Sequence, residues 1–415
     1  MRKRNFLAVL ASCAVMASMF SMTANAANYA DDKQAVGGNT TFTKYLVLDA
    51  EANVPNATFK YTIKAGAEIK GTATTMQVYA GKIVTDEEGK VTAPVVSDVT
   101  FTAGNSTTDG ADGDGITNDA SKKYASQTIN ADFTGVKFDE PGVYRYIVTE
   151  DLNESQGVAV AGSIAKTLDV FVEDDGTGTL SVTSYVLYNT VINTAPEKNT
   201  AVDKNADKTA EDGKKTDGFV NTYDTNDLTL SKTVTGNQGS KDKYFKFEVT
   251  VKNAVAGTVY DVDLTNADDT VAENSATNAD YIGKKNPTSI TADNEGKATA
   301  TFYLQNGQSI KILGLAEGTA YEIEETPEDY VPTAVITGDI ERTADNSDVA
   351  LLDNKVFDTE LTEDTTVAFT NDRQGAIPTG VILSVAAPVA IGVAVLGGIV
   401  FLFVRNKKRD TEEEE

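Results

Sequence analysis

The sequence contains no histidine and no tryptophan, and its one cysteine stands at position 13. Without histidine, and with one thiol at most, neither a Ser–His or Cys–His nucleophile pair nor a Cys/His zinc centre can be built. An internal disulfide is excluded as well. Basic residues are also scarce: 36 Lys and Arg stand against 62 Asp and Glu, a formal net charge of −26. Such a surface repels nucleic acid phosphates and anionic lipid heads, so neither is expected as a partner. What is present is enough to fold. With 40% apolar and 8% aromatic residues among 415, the chain can bury real cores, and its length suggests two or three domains.

The two ends read as address labels. Met1 to Ala26 opens with Arg2, Lys3 and Arg4, runs apolar from Phe6 to Met22 and closes on Ala24-Asn25-Ala26, a signal-peptidase pattern. A lipoprotein reading of Leu10-Ala11-Ser12-Cys13 leaves too short an apolar region before the cysteine. Cleavage after Ala26 removes the only cysteine. Near the other end, Val381 to Val404 is uncharged and long enough to span a bilayer, and Arg405, Lys407, Lys408 and Arg409 hold the following tail, 405–415, in the cytoplasm. Ala376-Ile377-Pro378-Thr379-Gly380 stands just before the span. The plain alternative is a single-pass anchor after a turn. The order of Pro-Thr-Gly, apolar span and basic stop instead resembles the cell-wall sorting signal of Gram-positive surface proteins, in a variant common in pilins. That resemblance implies a sortase cutting between Thr379 and Gly380 and passing the Thr379 carboxyl to an amine. Both cuts remove more basic than acidic residues, so the mature chain is the more acidic.

Between the ends no apolar period of 3.6 persists for a helix's length. Short alternating runs rich in Val, Thr, Tyr and Phe recur between Gly, Asn and Asp. The clearest are Thr41–Leu48, Ala57–Ile63, Val143–Glu150, Thr167–Glu173 and Thr179–Tyr188. Leu228–Val234, Tyr244–Lys252, Ala298–Leu304, Ala320–Glu325 and Val367–Asn371 follow. This pattern predicts an all-β protein of two tandem immunoglobulin-like β-sandwiches, spanning 27–224 and 225–375. Gly104 to Lys122 reads as a long exposed loop; its Asp109, Asp112 and Asp114 miss the ligand spacing of a calcium loop, so no metal is expected. Thr194 to Asp217 has almost nothing to bury and is expected to be a mobile loop.

Strand parity singles out six polar residues. Lys232 shares a face with Leu228, Leu230 and Val234, Glu325 with Tyr321 and Ile323, and Asn371 with Val367 and Phe369. The set recurs upstream. Lys44 keeps parity with Phe42, Leu46 and Leu48, Glu150 with Tyr144, Tyr146 and Val148, and Asn221 with Phe219 and Tyr223. A buried ammonium and carboxylate are costly and drift toward their neutral forms. A neutral amine is a nucleophile, and a protonated carboxyl can hydrogen-bond a carboxamide. Together they could form a Lys–Asn isopeptide bond with loss of ammonia. Long side chains whose tips reach solvent, or buried ion pairs without covalent chemistry, are the competing explanations.

Phe138-Asp139-Glu140-Pro141-Gly142-Val143-Tyr144-Arg145-Tyr146-Ile147-Val148-Thr149-Glu150 resembles the signature strand of the streptococcal pilin isopeptide-linkage domain. Phe42-Thr43-Lys44 and Phe219-Val220-Asn221 fit that domain's first and last strands. Leu228-Thr229-Leu230-Ser231-Lys232, Tyr321-Glu322-Ile323-Glu324-Glu325 and Phe369-Thr370-Asn371 resemble the matching positions of the C-terminal pilin domain. The whole is similar to the two-domain backbone pilins of Gram-positive bacteria, over roughly residues 38–380. The resemblance implies bonds Lys44–Asn221 and Lys232–Asn371, with Glu150 and Glu325 catalytic. It also implies an acceptor lysine in the loop before the last strand of the first domain, at Lys214, with Lys215 beside it. The function implied is a structural subunit of a sortase-assembled pilus, secreted and anchored to peptidoglycan, with sortase, identical subunits and minor pilins as partners. A membrane holds the precursor alone, no cofactor is called for, and the only catalysis is autocatalytic. The alternative is a singly anchored surface adhesin.

Overall fold

The computed structural model describes residues 38–111, 116–151, 157–174, 176, 178, 180–198, 213–338, 355–358 and 360–375. The signal peptide, the sorting motif Ala376–Gly380, the apolar span and the tail all lie outside the described residues. Among the described residues every regular element is a strand.

Strands of six or more residues are numbered in chain order. The first half contains β1 (Asn39–Asp49), β2 (Lys122–Asp132), β3 (Gly142–Glu150), β4 (Ala165–Asp174), β5 (Leu180–Tyr188) and β6 (Gly218–Tyr223). The second contains β7 (Thr225–Thr235), β8 (Phe245–Lys252), β9 (Val259–Thr265), β10 (Ala298–Leu304), β11 (Ser309–Ala316), β12 (Ala320–Thr326), β13 (Val331–Thr337) and β14 (Thr365–Asp372). In the first half one sheet runs Val158–Ala161, β6, β1, β2, Val95–Val96, and the facing sheet runs Lys215–Thr216, β5, β4, β3, Tyr61–Ala65. In the second half the sheets run Ser289–Thr291, β9, β11, β7, β14, β13 and β10, β8, β12, Lys355–Asp358.

Each half places its first strand beside its last, and the pairing is parallel: β1 with β6 and β7 with β14. The other neighbours of β1 and β7, β2 and β11, run antiparallel. Alternation explains why these strands face as they do. In β1 the residues Phe42, Lys44, Leu46 and Leu48 are buried while the intervening ones are half-exposed, and β7 repeats the pattern at Leu228, Leu230, Lys232 and Val234. Each half has its own core. The first packs Phe42, Phe59, Phe101, Phe133 and Phe138 among branched side chains; the second packs Phe245, Phe247, Phe302 and Phe369. Edge-on aromatic pairs add to both cores: Phe59 and Phe101, 5.8 Å between centroids, pack within one two-stranded ribbon, and Phe247 on β8 meets Phe369 on β14 across the facing sheets at 5.3 Å.

The chain divides into two compact units, one within Met1–Thr235 and Gly239–Asp372, which holds both sandwiches, and a small one within Gly236–Gln238 and Arg373–Glu415. Inside the first, only Asp224 separates β6 from β7. Asp49 braces this link, accepting from the Thr225 amide at 3.1 Å and from Lys122 Nζ at 2.8 Å. Lys311 reaches Glu51 at 3.0 Å and Asp227 at 2.6 Å, and Asn56 and Asn53 bond Thr258 and the Val259 carbonyl.

Three expectations need correction. Ala57–Ile63 is not one strand: it breaks at Lys60 into Ala57–Phe59, paired with Val99–Phe101, and Tyr61–Ala65, paired with β3. The Gly104–Lys122 loop is not wholly irregular, because Thr107–Thr108 pairs with β2. The stretch expected to be mobile from Thr194 to Asp217 is fastened at both described ends. Lys198 donates from its backbone to Thr74, and Lys215–Thr216 pairs with β5, so backbone hydrogen bonds supply the order that apolar residues do not.

Candidate functional site

β1 and β6 bring Lys44 and Asn221 side by side from one sheet, and the end of β3 brings Glu150 from the other. Lys44 stands opposite Phe219 in the ladder, with Asn221 two residues on and on the same face. Gly218 permits the approach: a Cβ there would stand 1.7 Å from the Thr43 carbonyl oxygen. Lys44, Glu150 and Asn221 are 0, 1 and 3% exposed. Lys44 Nζ donates to both oxygens of Glu150 at 2.8 Å and makes a short contact to Asn221 Oδ1. Its ammonium also lies 4.1 Å from the centroid of the Phe59 ring.

The second sandwich repeats the arrangement in the same register. Lys232 on β7 stands opposite Phe369 on β14, with Asn371 two residues on, and Glu325 comes from β12 in the facing sheet. Lys232, Glu325 and Asn371 are buried, and Lys232 Nζ sits 4.5 Å from the Phe245 ring centroid. Glu325 Oε1 accepts from Lys232 Nζ at 2.6 Å and from Asn371 Nδ2 at 2.8 Å. Glu325 Oε2 and Asn371 Oδ1 are buried without hydrogen-bond partners.

Burial dominates the electrostatics. It lowers both lysines from the ordinary 10.5 to about 8, against the opposing pull of Glu150 on Lys44 and of Glu325 on Lys232. Burial likewise raises the Glu325 carboxyl, against the stabilising charge and hydrogen bond of Lys232. Near neutral pH each amine can therefore give up its proton at modest cost, and beside Lys232 the raised Glu325 carboxyl can take one.

The other candidates stand elsewhere. Lys214 and Lys215 are half-buried, immediately after Gly213; the Lys214 carbonyl accepts from the Asn189 amide at 2.9 Å, which ties its backbone to the end of β5. Asp109 is exposed, while Asp112 and Asp114 lie outside the described residues. Sequence reasoning missed the aromatic floor under each amine, because Phe59, Phe245 and Phe247 read simply as core. It also missed Arg145 and Asp169, a buried bidentate pair on the outer face of the β3–β4 ladder. Their signal was opposite charges at outward positions flanked by apolar residues, Arg145 between Tyr144 and Tyr146 and Asp169 between Leu168 and Val170.

Residues 226–373 match the model of a family described as a domain of unknown function (DUF7601). A pilin of Streptococcus pyogenes serotype M1 is 26% identical over 374 residues, covering 89% of this chain and 91% of that one. The chain is similar to a streptococcal pilin along most of its length. The crystal structure of the major pilin from S. pyogenes overlays with a TM-score of 0.50 at 23% identity, covering 82% of this chain and 99% of that one, and establishes the shared fold. A pilus tip adhesin of S. pyogenes, Cpa, is 31% identical over 156 residues, which is 38% of this chain and 18% of the adhesin. The all-β expectation holds among the described residues, and the relatives are a pilin and a pilus tip adhesin.

Proposed function

We propose that this chain is the backbone subunit of a sortase-assembled surface pilus, made of two sandwiches, 27–224 and 225–375, each closed by a Lys–Asn isopeptide bond. The carrying observation is the repetition of one arrangement: a buried Lys on the first strand and a buried Asn on the last, in identical register, with a Glu from the facing sheet.

The chemistry follows from the neutral forms. The lysine amine attacks Cγ of the asparagine carboxamide, whose oxygen takes a hydrogen bond from the protonated glutamic acid. For Asn371 this requires the carboxamide to turn over about Cβ–Cγ, so that Oδ1 rather than Nδ2 meets Glu325. The carboxyl relays the amine's proton to the departing nitrogen. One C–N bond forms, one breaks, and ammonia leaves. Low-dielectric surroundings favour every neutral species on this path.

The consequence is mechanical. In a parallel first–last pair, tension applied at the start of one strand and the end of the other shears the ladder. A covalent link between Lys44 and Asn221, or Lys232 and Asn371, carries the load across it, so the sandwich need not unfold.

Polymerisation would join subunits by the same bond type between chains. Sortase breaks the Thr379–Gly380 amide, holds Thr379 as an acyl-enzyme, and transfers it to a lysine amine of the next subunit, Lys214 or its neighbour Lys215. Lys44 and Lys232 are buried and cannot serve. The last subunit passes to peptidoglycan, leaving a secreted, wall-anchored fibre that accessory pilins can join. The segment shared with the tip adhesin favours a second reading, a singly anchored adhesin. Cell-wall extracts on a denaturing gel separate the two. A high-mass ladder that disappears in Lys214→Ala, or in the double variant with Lys215→Ala, while monomer is still secreted and folded, supports the backbone subunit. A single anchored species in the wild type supports the adhesin.

A further inference from the structure

Arg145 and Asp169 form a second buried charged cluster, which the cross-linking chemistry leaves unused. They stand opposite each other on β3 and β4, on the face turned away from Tyr144, Tyr146, Leu168 and Val170. Arg145 Nε and Nη2 each donate to an Asp169 oxygen at 2.7 Å, and the two side chains are 1 and 0% exposed. The guanidinium has donors to spare. Nη1 reaches the Ile192 carbonyl at 3.2 Å and Nη2 the Thr194 carbonyl at 3.0 Å.

Those carbonyls belong to the chain that leaves β5 and crosses this face as a strap. The strap is fastened further along. The Ile192 amide donates to Thr167 Oγ1 at 2.9 Å, Met76 donates to the Pro196 carbonyl at 2.8 Å, and Lys198 donates to Thr74 at 2.7 Å. Where the chain returns, Gly213 donates to Thr190 Oγ1 at 3.1 Å, and Asn189 donates to the Lys214 carbonyl at 2.9 Å. Lys214 is thus anchored on the first residues of the strap that the Arg145–Asp169 pair holds down.

A buried ion pair is a poor way to gain stability, since well-packed apolar residues of the same volume commonly do as well or better. What a planar guanidinium fork supplies is direction: fixed donors that set the position of the groups they bind. We propose that Arg145 and Asp169 are positioning residues for sortase-mediated polymerisation, holding the strap in the register that presents the Lys214 amine to the acyl-enzyme. This rests on Lys214 being the acceptor. The pair's bonds to the strap run to the Ile192 and Thr194 carbonyls, so it acts through the backbone it pins.

The test uses the mature chain with its intact sorting motif and a purified pilin sortase. In Arg145→Met/Asp169→Leu the ion pair is replaced by apolar groups of similar size. Polymerisation should slow on the order of tenfold, through a higher KM for the acceptor subunit, because small misplacements of a reacting group are costly. Cleavage of the sorting motif and the mass deficit of the internal bonds should not change. Arg145→Lys, which keeps the charge and loses the fork, should fall between, and serves if the double variant does not fold. Thr75 and Glu197 face each other in an antiparallel bridge, so T75C with E197C can close a disulfide between the strap and the segment it crosses. Oxidised, it should restore the rate in the slow variant; reduced, it should not. Unchanged polymerisation in a folded Arg145 variant, or a loss the disulfide leaves untouched, overturns the proposal. A Lys214→Ala chain that polymerises normally removes the acceptor assignment instead, a separate outcome.

Discussion

The two buried triads share strand geometry and differ in how their hydrogen bonds close. Around Lys44 the amine satisfies both oxygens of Glu150 and meets the Asn221 carbonyl oxygen. Around Lys232 a single Glu325 oxygen serves both the amine and the carboxamide, and two polar atoms are left buried without partners. The first site is a satisfied ion pair in its unreacted form, while the second has unmet desolvation that a change of protonation and a turned carboxamide would relieve. What is common to both, the Lys and Asn on parallel terminal strands, is what a covalent bond needs. What differs tunes how readily the unreacted state persists.

The largest effects should come from deleting each glutamate. Glu150→Ala and Glu325→Ala should each abolish one bond and leave the other. Each bond would close a long loop, Lys44 and Asn221 being 177 positions apart in sequence. By the loop-entropy estimate for disulfides such a link stabilises by roughly 5 kcal/mol, equivalent to a fall of about 10–20 °C in the melting of that sandwich. Calorimetry showing a fall for one variant only would break the equivalence of the sites.

A subtler break isolates the first site by sterics alone. Gly218→Ala drives a methyl group into the Thr43 carbonyl and should separate β6 from β1, preventing the Lys44–Asn221 bond while Lys232–Asn371 still forms. The expected readout is a mass heavier than the parent's by one ammonia beyond the side-chain change. Retention of both bonds would show that this approach is not required.

Much of this was legible beforehand, for identifiable reasons. Lys44 and Lys232 betrayed themselves because a strand's period of two leaves no doubt about which face a residue takes once its neighbours are apolar. β2 was not foreseen: Lys122 to Asp132 carries Lys, Ser, Gln and Asn between few apolar residues, and it is a strand because β1 supplies the ladder. Arg145 and Asp169 were missed because parity assigns them to solvent. A strap from 190 to 198, held by backbone bonds invisible in the sequence, covers them instead.

A smaller effect sharpens the comparison through pH. Asn221→Ala and Asn371→Ala leave Lys44 and Lys232 as free buried amines lowered to about 8 in the fold and near 10.5 when unfolded. Between those values the unfolded chain binds more protons, so stability should rise with pH across this window, by roughly 3 kcal/mol for each amine. The bonded parent has no such amine, and the buried tyrosines whose pKa the fold raises are common to parent and variants, so the gain should appear as a difference between them. Denaturant unfolding at pH 8 and 10.5 measures the difference, and parallel slopes in parent and variant would count against burial of free amines.

The smallest effect belongs to the surface of the second sandwich. Lys252 pairs with Glu322 at 2.9 Å, and Lys252→Ala should cost no more than about 0.5 kcal/mol. A larger loss in urea unfolding would mean that this exposed pair, rather than the backbone ladder, secures β8 to β12.

The central claim rests on bonds that change the mass of the protein. Residues 27–379, expressed without sortase and measured intact, should be lighter than their sequence by two molecules of ammonia, with Glu150→Ala and Glu325→Ala each restoring one. An unshifted mass in properly folded wild-type protein would contradict the account.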